Sequence, residues 1–331
     1  MKFGLALLPE SADAAVSWMS RAEGIGFDYG WFVDSQILWM DSYIFQALVA
    51  ANTTKLRIGP CVSNPLTRHP TVIASSISTL NEVSKGRAVL GLGRGDSAVR
   101  TMGHNPFPLK TFRDTVELIR KLCLGQEARY LNTTLKLKWA SGKVPVYIAA
   151  YGPTTLELAG EIADGVILQI GHPEIIRWSL SHVKRGAEKA HRNFDEIKVV
   201  AATATTLTED LNVARDEVRW YPGVVSNHVF DLLKRYPKME LPKALLKDID
   251  NLKGKYDYDE HCEKDAKHAA FVSDELVDKF TIIGGAQGCM DKIAELQKVG
   301  VDQVCLYLFT PGQEQTIKLY GEKIIPYFAS A

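Results

Sequence analysis

The residues from which a site could be assembled fall in short strings. These are Asp34-Ser35, Cys61-Val62-Ser63-Asn64, Gly93-Arg94-Gly95-Asp96-Ser97, Ala149-Ala150-Tyr151-Gly152-Pro153-Thr154 and Gln169-Ile170-Gly171-His172. Most of their members are small or neutral hydrogen-bonding groups. Metal-assisted hydrolysis, Schiff-base chemistry and paired-carboxylate catalysis need Lys, His, Asp and Glu crowded together, and these strings lack that crowd. Backbone amides, Gly, Ser and Asn suit instead a cofactor that brings its own chemistry.

Individual motifs leave more than one reading open. Gly91-Leu92-Gly93-Arg94-Gly95-Asp96 puts an aspartate where a dinucleotide fingerprint needs its third glycine, and it lacks the Gly-Lys-Ser/Thr of a phosphate loop. It is either a turn that lets a ligand approach the backbone or a place of close packing. Gly152-Pro153-Thr154-Thr155 opens a helix, whose free amides can also hold a phosphate. His261-Cys262-Glu263 with His268 matches no closed zinc set, so no metal site is expected. His172 and Gln169 follow an apolar run and are placed for substrate contact, whereas Trp39, five residues after Asp34, serves either packing or stacking.

Positioning these strings requires the elements between them. Apolar runs at Lys2–Leu8, Phe27–Val33, Leu56–Ser63, Arg87–Gly93, Val146–Ala150, Gly165–Gln169, Ile197–Thr205 and Gln303–Phe309 read as buried strands. Helical stretches separate the earlier ones, at about Ala12–Gly24, Tyr43–Asn52, Pro70–Val83, Thr111–Leu124, Thr154–Ile162 and Glu174–Arg192. Buried strands alternating with helices mark a parallel sheet. Eight such units predict an α/β fold, a (β/α)8 TIM barrel, with every string above at a strand C-terminus, where barrel sites lie. A doubly wound sheet would carry its glycine turn after the first strand, where this chain has Leu8-Pro9-Glu10-Ser11. Two insertions interrupt the single domain, a hairpin at about 127–142 and a longer segment at 220–274 with helical pieces at Val224–Tyr236 and Pro242–Leu252. The longer one is either a wall of the site or a peripheral, dimer-forming element.

The 331 residues carry 39 Lys+Arg against 39 Asp+Glu. A zero net charge argues against a nucleic-acid or anionic-membrane partner, both of which need clustered positive charge. No run is long enough to span a bilayer and the apolar N-terminal run is too short for a signal peptide. Five scattered cysteines without a Cys-x-x-Cys pair point to reduced thiols in a cytoplasmic protein.

Longer stretches resemble a known family. These are Phe27–Asp34, Ile58–Pro70 running on through Thr79–Gly93, Leu158–Gly165 and Val299–Gln303. They are similar to the bacterial luciferase-like superfamily, and within it to the coenzyme F420 (deazaflavin) reductases of the methylenetetrahydromethanopterin reductase type. The resemblance implies a dimeric barrel with the deazaflavin ring at the C-terminal mouth. It also implies a non-prolyl cis peptide at Cys61-Val62 that supports the ring from behind. By position it places Asp34 and Trp39 near the ring, Ser63 and Asn64 beside the bulge, and Gly93, Arg94 and Gly95 at the strand-four turn. Ala150, Gly152 and Pro153 match the loop that meets the cofactor tail. Two departures stand out. Ser35 replaces a His common in deazaflavin enzymes, and Ala6 stands where the methanopterin reductases carry a Glu, with Glu10 either a substitute proton donor or a solvated turn residue. The implied activity is hydride transfer between F420 and a small organic substrate. The alternatives are an FMN-dependent monooxygenase using reduced FMN and oxygen, served by a separate flavin or F420 reductase, and a non-catalytic flavin-binding homologue.

Overall fold

The computed structural model describes residues 1–236, 241–242, 246, 252–309 and 313–329. Eleven strands are present among them: β1 (Lys2–Leu7), β2 (Tyr29–Phe32), β3 (Arg57–Pro60), β4 (Leu90–Leu92), β5 (Ala128–Tyr130), β6 (Thr133–Leu135), β7 (Val146–Ala149), β8 (Gly165–Leu168), β9 (Lys198–Leu207), β10 (Ile282–Gly284) and β11 (Gln303–Tyr307). The helices that matter below are α1 (Ala12–Gly24), α2 (Ser42–Asn52), α3 (Pro70–Val83), α4 (Ser97–Arg100), α5 (Leu109–Cys123), α6 (Pro153–Ile162), α7 (Pro173–Lys189), α8 (Leu211–Val218), α9 (Trp220–Arg235), α10 (Asp274–Phe280) and α11 (Ala286–Lys298).

Eight strands line up in the order β3-β2-β1-β11-β9-β8-β7-β4, parallel throughout. Single bridges, Ile58 with Ala88 and Ser63 with Leu92, join the outer strands and close the barrel. That seam is made by glycine. A Cβ on Gly59 would lie 1.7 Å from the Val89 carbonyl oxygen, and one on Gly91 2.2 Å from that of Pro60. With no side chain at either position the two backbones interlock, Val89 N donating to Ile58 O at 3.0 Å and Ser63 N to Gly91 O at 3.0 Å. Between these bonds the Cys61–Val62 peptide is cis, as the resemblance implied.

The barrel interior is filled at its base by Trp31, with Tyr29 stacked on it at 5.6 Å and Tyr147 at 6.1 Å. Outside, Phe3 of β1 packs against Tyr320 and Phe328 of the C-terminal helices. All five cysteines are free and buried. The predicted hairpin is β5–β6, antiparallel as expected.

Two details differ from expectation. β10 had no signal, because three residues are too few to show periodicity; it extends the sheet by pairing with Thr205–Leu207 of β9, which runs two residues beyond its expected end at Thr205. α9 starts at Trp220 rather than Val224, and α8 precedes it. The helix expected at Pro242–Leu252 falls largely outside the described residues. No helix among those described is long and apolar enough to cross a membrane.

Candidate active site at the barrel mouth

The C-terminal ends of the strands enclose a cavity of about 1270 Å³, its solvent-open part included. On one side stands Asp34, two residues past β2 and only 4% exposed. Its carboxylate accepts from Ser63 Oγ at 2.5 Å and from Arg68 through Nε at 3.1 Å and Nη2 at 3.2 Å. The same Nη2 donates to Asp41, the N-cap of α2, at 2.7 Å. Burial lowers the Arg68 pKa, but Asp34 and Asp41 outweigh it and the net shift is upward. Asp34 is thus tied to three donors, and it fixes the ends of β2 and β3 with respect to each other.

Next to it is the bulge. Val62 packs on the β4 turn so closely that a Cβ on Gly93 would meet its Cγ2 at 2.8 Å. The Cys61 thiol lies 3.7 Å from the Tyr307 hydroxyl, and hydrogen bonding from Cys305 draws its pKa down. Asn64 spends its polar atoms on its own turn, accepting from Leu66 N and Thr67 N and donating to Thr67 Oγ1.

At the far end the cavity is lined by Arg94, Arg235 and Asp231. Arg94 donates to Phe107 O at 2.6 Å and Arg235 of α9 stands nearby; burial, then the Arg235 charge, lowers the Arg94 pKa. Here α6 begins at Pro153 with no side-chain cap on its first amides. Two guanidinium groups and the positive end of a helix dipole can hold an anion there, with Asp231, 3.9 Å from Arg235, as the opposing charge.

The opposite wall comes from the 220–274 insertion, docked through Asp96. That carboxylate accepts from Arg100 Nε at 3.1 Å and Tyr258 OH at 3.0 Å, and lies 3.7 Å from His228 Nδ1. Arg100 also binds Asp231 of α9. His228 stacks on Tyr151 at 4.0 Å, and Tyr151 OH donates to Gln169. Burial lowers the His228 pKa and raises that of Tyr151, so both rings stay uncharged near neutrality. Replacing Asp96 by alanine removes the hub, and loss of its bonds should lower the cost of opening this wall by about 2 kcal/mol. Limited proteolysis would then cut the 252–274 segment faster than in the wild type, and unchanged cleavage would contradict the docking role.

The cavity brings together Asp34, Cys61, Val62, Asn64, Gly93, Arg94, Gly95, Ala150, Gly152 and Gln169. Ser63 is fully buried behind Asp34, and Pro153 forms the first turn of α6 rather than the lining. Trp39 and Glu10 face an adjoining groove instead. His172 is a correction: Gly171 N donates to Phe280 O at 3.2 Å, which turns the chain outward, and His172 lines a separate polar groove with Lys292 and Asp278. Sequence reasoning missed Asp96 as a hub, and Arg235, His228, His261, Tyr258 and Tyr307 as lining or docking groups. Asp96 was visible as the residue replacing a glycine; the others carry no local motif.

Fold and mouth define the class: a (β/α)8-barrel enzyme whose strand ends are built to seat a cofactor. The chain belongs to the luciferase-like monooxygenase family, whose model matches residues 1–303. It is 32% identical to the 5,10-methylenetetrahydromethanopterin reductase of Archaeoglobus fulgidus, over 98% of this chain and 99% of that protein. It is 26% identical to an F420-dependent glucose-6-phosphate dehydrogenase of Microbacterium testaceum, over 92% and 90%. Among solved structures it is similar to the coenzyme F420-dependent tetrahydromethanopterin reductase of Methanopyrus kandleri, with a TM-score of 0.79, 28% identity and 99% of each chain covered.

Proposed function

We propose that the chain is an oxidoreductase, one barrel domain with two insertions, that exchanges a hydride between bound coenzyme F420 and a small organic substrate. The observation that carries this reading is the continuous seat from the Val62 bulge to Arg94 and Arg235, in a chain similar over nearly its whole length to proteins named as F420-dependent. The residues present fit such a group. Gly93, Arg94 and Gly95 of the β4 turn line the cavity, Gly95 at φ 90°, and the arginines with the α6 N-terminus suit an anionic tail.

The deazaflavin, when bound, supplies two-electron hydride chemistry. The protein's own work is support, orientation and exclusion of water. Val62 floors the seat, Asp34 with Ser63 and Arg68 keeps the β2 and β3 ends in place, and the Asp96 network holds the insertion over the mouth. Buried Tyr151 and Tyr307 keep their phenol protons, burial holding both pKa values well above the usual range, and so remain hydrogen-bond donors. Ala6 is fully buried and in register with Tyr307, so no strand-one carboxylate reaches the mouth. The pterin reaction of the relatives therefore does not transfer on that residue.

The FMN reading is favoured by one observation. Ser35, which lines the cavity, stands where the resemblance leads one to expect a His, and its hydroxyl is paired with Ser97 Oγ at 2.8 Å. A paired anaerobic fluorescence titration of the protein with F420 and with FMN separates the two. The expected result is an at least tenfold preference for F420, about 1.4 kcal/mol; preference for FMN would overturn it. The same reading includes a cytoplasmic protein, no nucleic-acid or membrane partner, and a separate reductase that reloads the cofactor. A homodimer is supported by Ile44 and Leu48 of α2 and Val72 of α3, which are 62%, 40% and 47% exposed. Sedimentation velocity is expected to give twice the chain mass.

A further inference from the structure

Two cysteines among the described residues line the mouth cavity, Cys61 after β3 and Cys262 in the insertion. What meets the sulfur differs between them. Cys61 Sγ lies 3.7 Å from the Tyr307 hydroxyl and in hydrogen-bond contact with the Cys305 thiol. Around Cys262, burial and then the Asp96 charge push the thiol up. Cys123 and Cys289 lie away from the mouth and donate to the carbonyl oxygens of Ala74 and Gly284, at 3.9 and 3.7 Å.

The position of Cys305 follows from the register of β11. Gly4 of β1 is its partner, and a Cβ on Gly4 would run into Gln303 and into Trp31, which fills the barrel interior. Gln303 therefore points inward, and by strand alternation so do Cys305 and Tyr307. Tyr307 reaches the cavity, and Cys305, fully buried, forms the layer beneath it. Cys61 is 7% exposed and comes onto this pair from the end of β3. Its sulfur thus has a second thiol and a phenol behind it and the cavity in front.

Hydrogen bonding from Cys305 draws the Cys61 pKa down; burial opposes this, Tyr307 adds to the fall, and the net shift is downward. Burial holds the Cys305 thiol and the Tyr307 phenol well above their usual ranges, so both keep a proton to donate. The thiolate is the nucleophilic form of cysteine, and oxidation selects a thiolate that a small molecule can reach.

We propose that Cys61 is an oxidation site of the barrel mouth, that its co-substrate is a hydroperoxide, and that Cys305 is the resolving thiol that converts the first product into a disulfide. In the first step the Cys61 sulfur attacks one peroxide oxygen. An S–O bond forms, the O–O bond breaks, sulfur gives up two electrons, and the leaving oxygen takes the thiol proton. Cys61–SH and ROOH so become Cys61–SOH and ROH. In the second step the Cys305 sulfur attacks the sulfenic sulfur. The S–S bond forms, the S–O bond breaks, and hydroxide leaves with the Cys305 proton as water. Two thiols and one hydroperoxide yield one disulfide, one ROH and one water. Closing the pair from hydrogen-bond contact to a bond of about 2.05 Å displaces Cys61, and with it the neighbouring Val62 that floors the seat. The modification stands without the hydride-transfer reading, and its effect on F420 rests on that reading.

The full chain is treated with hydrogen peroxide without cofactor, its remaining thiols are alkylated, and the intact mass is measured. The expected result is a loss of about 2 Da before alkylation, reversed by dithiothreitol, with one peptide pair linked through Cys61 and Cys305. Cys305→Ser should instead gain about 16 Da as a sulfenic acid that dimedone traps at Cys61. Cys61→Ser should show neither change, and Cys262→Ser should oxidise as the wild type does. Oxidised wild type is expected to bind F420 at least about tenfold more weakly, with recovery in dithiothreitol. Oxidation first at Cys262, a disulfide that forms only in denaturant, or an oxidised protein of unchanged F420 affinity overturns the proposal. The peptide map of the wild type decides the linkage even where a serine variant does not fold. Failure of the untreated protein to bind F420 overturns the hydride-transfer reading instead, and the mass and peptide results still decide the modification.

Discussion

Replacing Asp34 by alanine is expected to destabilise the protein by about 3 kcal/mol, the low end of what breaking a buried ion pair costs. The carboxylate is buried, and its removal strips Arg68 of two hydrogen bonds and Ser63 of one. The loss stays at the low end because Arg68 retains Asp41, and because Ser63 Oγ lies 3.1 Å from the Tyr43 hydroxyl. Urea unfolding measures it directly. Arg68→Met together with Asp34→Ala should cost clearly less than the two single changes added, since neither charge is then left alone. F420 affinity should fall with Asp34→Ala, because the carboxylate both lines the cavity and holds the strand that carries the Val62 bulge. A single variant within about 0.5 kcal/mol of wild type would show that the pair is not structural.

Gly59→Ala should be worse, with a loss above about 4 kcal/mol that reads as insoluble protein or the absence of a cooperative transition. Its new methyl would sit 1.7 Å from the Val89 carbonyl oxygen, a backbone atom. Val89 cannot retreat cheaply, because its own N–H closes the seam by donating to Ile58 O. The comparison is Gly288→Ala in α11, where an added Cβ meets nothing within 4 Å. There the helix propensity of alanine should stabilise by about 0.5–1 kcal/mol. Equal behaviour of the two variants would mean that the β3–β4 seam does not hold the barrel closed.

The two glycines also show where reading a chain reaches its limit. Gly59 and Gly91 lie in strings that were singled out, yet nothing local says that one backbone must interlock with the other; that follows only when β3 and β4 are set side by side. Asp34, Cys61, Val62 and the Gly93–Gly95 turn were legible for a different reason. A parallel barrel sends every strand end to one face, so counting strands is enough to bring these positions together. His172 was misplaced by the same logic, since the rule places the end of β8 and not a residue four positions later, after a bond to Phe280 O has redirected the chain.

The order of apolar and polar runs therefore determined the barrel, the end of it that carries the site, and the neutral, backbone-rich character of the strand ends. Those are consequences of periodicity and of short connections, which act along the chain. The wall across the mouth, with His228, Tyr258 and His261 brought onto Asp96, Tyr151 and Trp39, was decided only in three dimensions. Residues 77 to 222 positions apart meet there through single hydrogen bonds and ring contacts, and such contacts impose no pattern on the sequence that forms them.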